Sequence, residues 1–98
     1  MPPKTSRFDA AAILDTPEAI DAFLEDAFES GDPSFITHAL GIVARAKGMS
    51  QLAEETGLSR QALYKALSAE GRPEFGTVLK VAGALGFRLH PERVPEGV

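Results

Sequence analysis

The sequence contains no cysteine, which removes disulfide bonds, thiolate metal ligands and a cysteine nucleophile together and fits a reducing cytoplasm. It also lacks any apolar run near the ~20 residues a membrane-spanning helix needs, and its start, MPPKTSRFDA, has no apolar stretch of the signal-peptide kind. The expectation is a soluble cytoplasmic protein with no membrane partner. Glycine and proline are too few for a disordered chain, at nine and seven among 98 residues, and act as punctuation between periodic segments. Metal and phosphate chemistry find no footing. His38 and His90 have no plausible third ligand, and the acids are spread along a helix instead of clustering at ligand spacing. Gly83 and Gly86 lie within and at the end of a helix, without the strand-to-helix turn of a phosphate loop. With no assembled nucleophile, base or metal set, no catalytic residue, metal or cofactor is expected, and the chain reads as a non-enzyme.

What is there is material for one modest core: 98 residues, 44% of them hydrophobic, read as a single domain. A chain this short buries only about two-thirds of its unfolded surface, so self-association into an oligomer is expected to help it. The net charge of −4 hides an asymmetry. Residues 1–40 hold two basic residues against eight acids, a balance of −6, whereas residues 41–98 hold eight against six, a balance of +2. Fields of opposite sign suit two different partners, one cationic and one anionic, although a well-solvated acidic helix gives the same count.

Helix signals divide the chain. Residues 1–15 read as a mobile N-terminal arm whose end Phe8, Ile13 and Leu14 could pin. Thr16-Pro17 opens an acidic helix to about residue 30, with Ile20, Phe23, Leu24, Ala27 and Phe28 on one face and Asp21, Glu25, Asp26 and Glu29 elsewhere; Gly31 ends it. Asp32-Pro33 repeats the start for a helix to about Lys47, in which Ile36, Ala39, Leu40, Val43 and Ala44 face inward and His38 reads as a core or helix-interface histidine. Ser50 is expected to cap a short helix over Gln51 to Thr56, and Ser59 another from Arg60 to Leu67 or Ser68. A last helix is expected from about Glu74 to Leu85, its start interrupted by Gly76. The alternation Phe87-Arg88-Leu89-His90 permits a brief strand, one that could pair across a dimer, and residues 91–98 read as a flexible tail.

The segment MSQLAEETGLSRQALYKAL, residues 49–67, has helix-turn-helix spacing. Ala53 is small where the second helix crosses the first, Gly57 accepts the positive φ of the turn, and Leu52, Leu58, Leu63 and Ala66 or Leu67 supply the packing. Ser59, Arg60, Gln61, Tyr64 and Lys65 are left outward. Arginine and glutamine near a helix start can form paired hydrogen bonds to guanine or adenine edges, while Lys65 suits a phosphate or a guanine. Ser50, Gln51 and the free amides at both helix starts would hold the DNA backbone. Against this stands the plainer account that these are ordinary surface residues on a small helical domain.

From about Phe8 to Leu89 the chain resembles the addiction-module antidote branch of the XRE-type, lambda-repressor-like proteins, related to the HigA antitoxins. The blocks that carry the resemblance are Gly31-Asp32-Pro33, Ala44 to Ala53, Thr56 to Arg60, Leu63 to Ser68 and Thr77 to Val81, with Asp9-Ala10 near the start. It implies an all-α domain of about five helices: the extra acidic helix at 16–31, then a helix-turn-helix core at 32–90. It also implies a cytoplasmic dimer that binds double-stranded operator DNA in its own promoter and neutralises a RelE/ParE-superfamily toxin. By position, Arg60, Gln61, Tyr64 and Lys65 become recognition residues, with Ser50, Gln51 and Ser59 on phosphates. Toxins of that superfamily are generally basic, so Asp21, Glu25, Asp26 and Glu29 become the candidate toxin-binding face, with the arm and the tail as rival docking sites. A stand-alone XRE-family regulator and a helical interaction protein with a vestigial helix-turn-helix are the other readings.

Overall fold

Among the described residues, side chains that accept hydrogen bonds from free backbone amides set three of the five helix starts. In the computed structural model, which describes residues 16–96, Thr16 Oγ1 accepts from the Ala19 amide at 3.1 Å and helix α1 runs Pro17–Ser30. Asp32 Oδ1 accepts from the Ser34 amide at 3.0 Å ahead of α2, Pro33–Lys47. Ser59 Oγ accepts from the Ala62 amide at 3.0 Å ahead of α4, Arg60–Ala66. Helices α3, Met49–Thr56, and α5, Phe75–Ala84, start without a side-chain cap. The fold is all-α: these five helices stand in the expected order, and no strand occurs among the described residues.

Burial follows the helical periodicity. The core draws Leu24 and Ala27 from α1, Leu40 and Val43 from α2, Leu52 from α3, Leu63 from α4 and Val81 from α5. Leu40, Leu52, Leu63 and Val81 are wholly buried, each contributing roughly 1.5–3 kcal/mol relative to exposure. Helices α2, α3 and α5 pack on one another, α1 lies along α2, and α4 rests mainly on α3. The acidic helix and the second helix of the helix-turn-helix pair are thus both outboard, held from one side only.

Several expectations need correcting. Helix α3 begins at Met49 behind Gly48, so Ser50 lies exposed inside its first turn and is not its cap. His38 is exposed and not a core residue: it shares its side of α2 with Ser34 and Arg45, while Thr37, Ala39, Leu40 and Gly41 fill the inward side. Residues 87–90 form no strand; Phe87 instead folds back, its amide donating to the Ala82 carbonyl at 2.8 Å. Of the two candidates at the end of α4, Leu67 is buried and Ala66 only half-buried. Glycines 41, 76 and 83 sit inside helices and are not punctuation. The expected arm, with Phe8, Ile13 and Leu14, lies outside the described residues, as do the last two residues of the tail.

Candidate nucleic-acid interface

The three residues between α3 and α4 form a braced turn. Gly57 adopts φ 78°, a left-handed conformation that side chains resist. Thr56 Oγ1 donates to the Leu52 carbonyl at 2.8 Å and accepts from the Leu58 amide at 3.2 Å, tying the end of α3 to the turn. Leu58 then packs half-buried against the core, and Leu63 and Leu67 anchor the inner side of α4. The far end of α4 is fixed by a contact the sequence reading did not find. The Leu67 carbonyl comes so close to α2 that a Cβ on Gly41 would lie 2.8 Å from it. A glycine in the middle of a helix with apolar neighbours is the signal that could have revealed this crossing.

With its inner side fixed, α4 turns Arg60, Gln61, Tyr64 and Lys65 to solvent, and all four are exposed. At 3.6 residues per turn they fall within an arc of about 140°. The Arg60 guanidinium carbon stands 5.8 Å from the Tyr64 ring centroid, a cation–π contact that steadies a long side chain before any ligand arrives. Tyr64 is 41% exposed, so much of the residue stays open to solvent. No acid lies on α4 itself, although Lys65 at its end shares an open pocket with Glu70, Arg72 and Glu74. Ser59 caps through a lone pair, which leaves its hydroxyl proton available to donate.

Gln51 is already engaged. Its side-chain amide donates to Glu55 Oε2 at 3.2 Å, and Glu55 Oε1 pairs with Lys47 Nζ at 3.1 Å. Lys47 Nζ also donates to the Ala84 carbonyl at the end of α5. The Lys47 hydrogen bond first, and the Gln51 amide second, hold the Glu55 carboxyl below the usual glutamate range. This clip joins α2, α3 and α5, and it leaves Gln51 one amide hydrogen for another acceptor.

On the opposite flank, Asp21, Glu25, Asp26 and Glu29 are all exposed. Glu25 and Glu29 also edge an open groove between α1 and residues 87–95, floored by Leu24, Phe28 and Leu40. Arg88, His90, Glu92 and Arg93 line its other side. Among the described residues, no helix is long and apolar enough to cross a membrane.

A short turn that seats one helix on another and leaves the second helix's polar edge free defines a small, all-helical domain of helix-turn-helix type. Residues 4–93 match the family described as "Probable addiction module antidote protein", and the chain belongs to that family. A protein of Haemophilus influenzae described as "Uncharacterized protein" is 42% identical over 86 residues, 88% of this chain and 89% of its own length. No solved structure matches the chain.

Proposed function

We propose that the protein is the antitoxin of a type II toxin–antitoxin module. In this reading it is a cytoplasmic homodimer of XRE, HigA-related type that binds double-stranded operator DNA through α4 and autoregulates its operon. It neutralises a RelE/ParE-superfamily toxin by direct binding. The observation that carries the DNA half is the exposed edge of α4, where Arg60, Gln61, Tyr64 and Lys65 share one arc free of acids. Arg60 and Gln61, in the first turn, read base edges; Lys65 and Tyr64, a turn later, lie against the groove wall. Ser59, Ser50 and the second amide hydrogen of Gln51 donate to phosphates and fix the register. No catalytic role, metal or cofactor enters.

Family membership supports the toxin half, and the exposed acids of α1 supply a cation-attracting surface for it. Gel shifts with the region upstream of the gene at moderate salt test the DNA reading: wild-type protein should bind it well above random duplex, and equal binding would overturn the proposal. Reversing the charges of Glu25, Asp26 and Glu29 should weaken toxin binding at low salt, and an unchanged affinity would remove this face from the interface. A stand-alone regulator is the competing reading. Co-purification from the native operon separates the two, since only an antitoxin carries a small basic partner with it.

A further inference from the structure

The outward side of α5 is unlike the rest of the surface. Its exposed positions are Phe75, Gly76, Leu79, Lys80 and Gly83, and only Lys80 has a polar side chain. Phe75 is 69% exposed and Leu79 44% exposed, one helical turn apart on the same face. Glycine is the least favourable helix residue after proline, so two within a ten-residue helix call for a reason. Gly41 has one inside the chain, the Leu67 carbonyl, but a Cβ on Gly76 or Gly83 would meet nothing within 4 Å. Neither takes a positive φ, so the backbone does not demand glycine either.

We infer that this face of α5 is the surface on which a second copy of the chain docks, the two helices crossing antiparallel about a two-fold axis at Leu79. The inference rests on the dimer of the preceding reading and gives it a surface. Phe75 and Gly83 lie equally far from Leu79, four residues before it and four after it. The axis therefore sets Leu79 on its own counterpart and lowers each Phe75 ring onto the bare backbone of the partner's Gly83. This knob and notch are the self-complementarity a two-fold contact requires. The same register sets the two helices antiparallel, so that their dipoles oppose. A ten-residue helix is about 15 Å long, so its face offers only a few hundred Å², roughly half or less of the ~800 Å² per partner of a standard interface. Self-association should accordingly be weak and concentration-dependent in the absence of DNA.

Sedimentation equilibrium on the full chain tests this. Wild-type protein should pass from monomer to dimer over a micromolar range, roughly 1–100 µM, with Leu79→Glu and Gly83→Gln each weakening the dimer about tenfold or more. Gly83→Gln points into open space and leaves the monomer's melting temperature unchanged or raised, which separates interface loss from misfolding. Leu79→Glu and Leu79→Lys chains, each monomeric alone, should associate when mixed, because only a two-fold contact at that position sets them against each other. A wild-type chain that stays monomeric throughout would overturn the dimer reading and this surface with it. A wild-type dimer whose variants associate normally would overturn the surface alone, and variants that dimerise but no longer hold the toxin would assign the face to the toxin instead.

Discussion

Helices α4 and α5 each present five exposed positions, yet four of the five on α4 carry a hydrogen-bonding side chain and only one on α5 does. Both are anchored through one apolar side, α4 by Leu63 and Leu67 and α5 by Val81 and Ala82. The difference therefore lies in what each outer face can bind. A face of arginine, glutamine, tyrosine and lysine can replace its water only with a ligand that offers hydrogen-bond partners in return. A face of phenylalanine, leucine and glycines gains by excluding water altogether.

The comparison holds only if the inner sides seat the helices, and the largest expected effect tests that. Leu63→Ala removes a wholly buried side chain beneath α4 and should cost ~2–5 kcal/mol of stability in urea denaturation, abolishing operator binding with it. Intact stability with lost DNA binding would mean that Leu63 does not seat the helix. The helix glycines give a sharper contrast. Alanine normally stabilises a helix relative to glycine by about 1 kcal/mol, and Gly83→Ala should follow that rule in the monomer. Gly41→Ala should reverse it, with a loss of ~1–3 kcal/mol, because its methyl group meets the Leu67 carbonyl. Thermal melts of both variants at low concentration read the two signs directly.

The outer face of α4 should respond differently. Arg60→Ala or Gln61→Ala should leave stability unchanged and cost ~1–3 kcal/mol on the cognate operator, with little change on random duplex. Lys65→Ala, if Lys65 lies against phosphate, should weaken all sequences alike and lower the salt slope by roughly one. Titrations at several salt concentrations distinguish the two patterns, and a uniform loss for Arg60→Ala would move it from base reading to backbone contact.

Much of this architecture was legible in the sequence because its signals are local. Thr16-Pro17, Asp32-Pro33 and Ser59 act within three residues of where they stand, and the helices start where those residues place them. Ser50 misled because a serine ahead of a polar helix looks like a cap, whereas the backbone turns two residues earlier at Gly48. His38 sits next in sequence to the buried Thr37 and Ala39, yet the helical turn puts it with Ser34 and Arg45 on the wet side. The alternation at 87–90 could not become a strand within the chain without a neighbouring strand to pair with. The Gly41 crossing and the groove beside α1 depend on segments far apart in sequence, and no local pattern encodes which pair meets. The exposed identities along α4 were readable, but the engagement of Gln51 was only half so: its spacing to Glu55 is helical, while Lys47 reaches in from the preceding helix.

That clip carries the smallest expected effect, and one that depends on pH. Glu55 is held in its charged form by Lys47 and then by Gln51, so its folded pKa lies below its ordinary unfolded value. A depressed carboxylate pKa contributes stability that is fully present above the unfolded value and disappears as pH falls through the folded one. Wild type and Glu55→Gln should therefore differ at neutral pH and converge under acid, and added salt should narrow the neutral gap because the pair is only partly shielded from solvent. Melting temperatures from pH 7 to pH 2 check this, and a gap that stayed constant across that range would show that the glutamate acts through packing and not through its charge. Because Lys47 also holds the Ala84 carbonyl, the variant bears on the contrast between the two outer faces as well. Freeing Lys47 loosens the end of α5 while Leu63 and Leu67 still seat α4, so self-association should fall slightly at neutral pH with operator contacts at Arg60 and Gln61 unchanged.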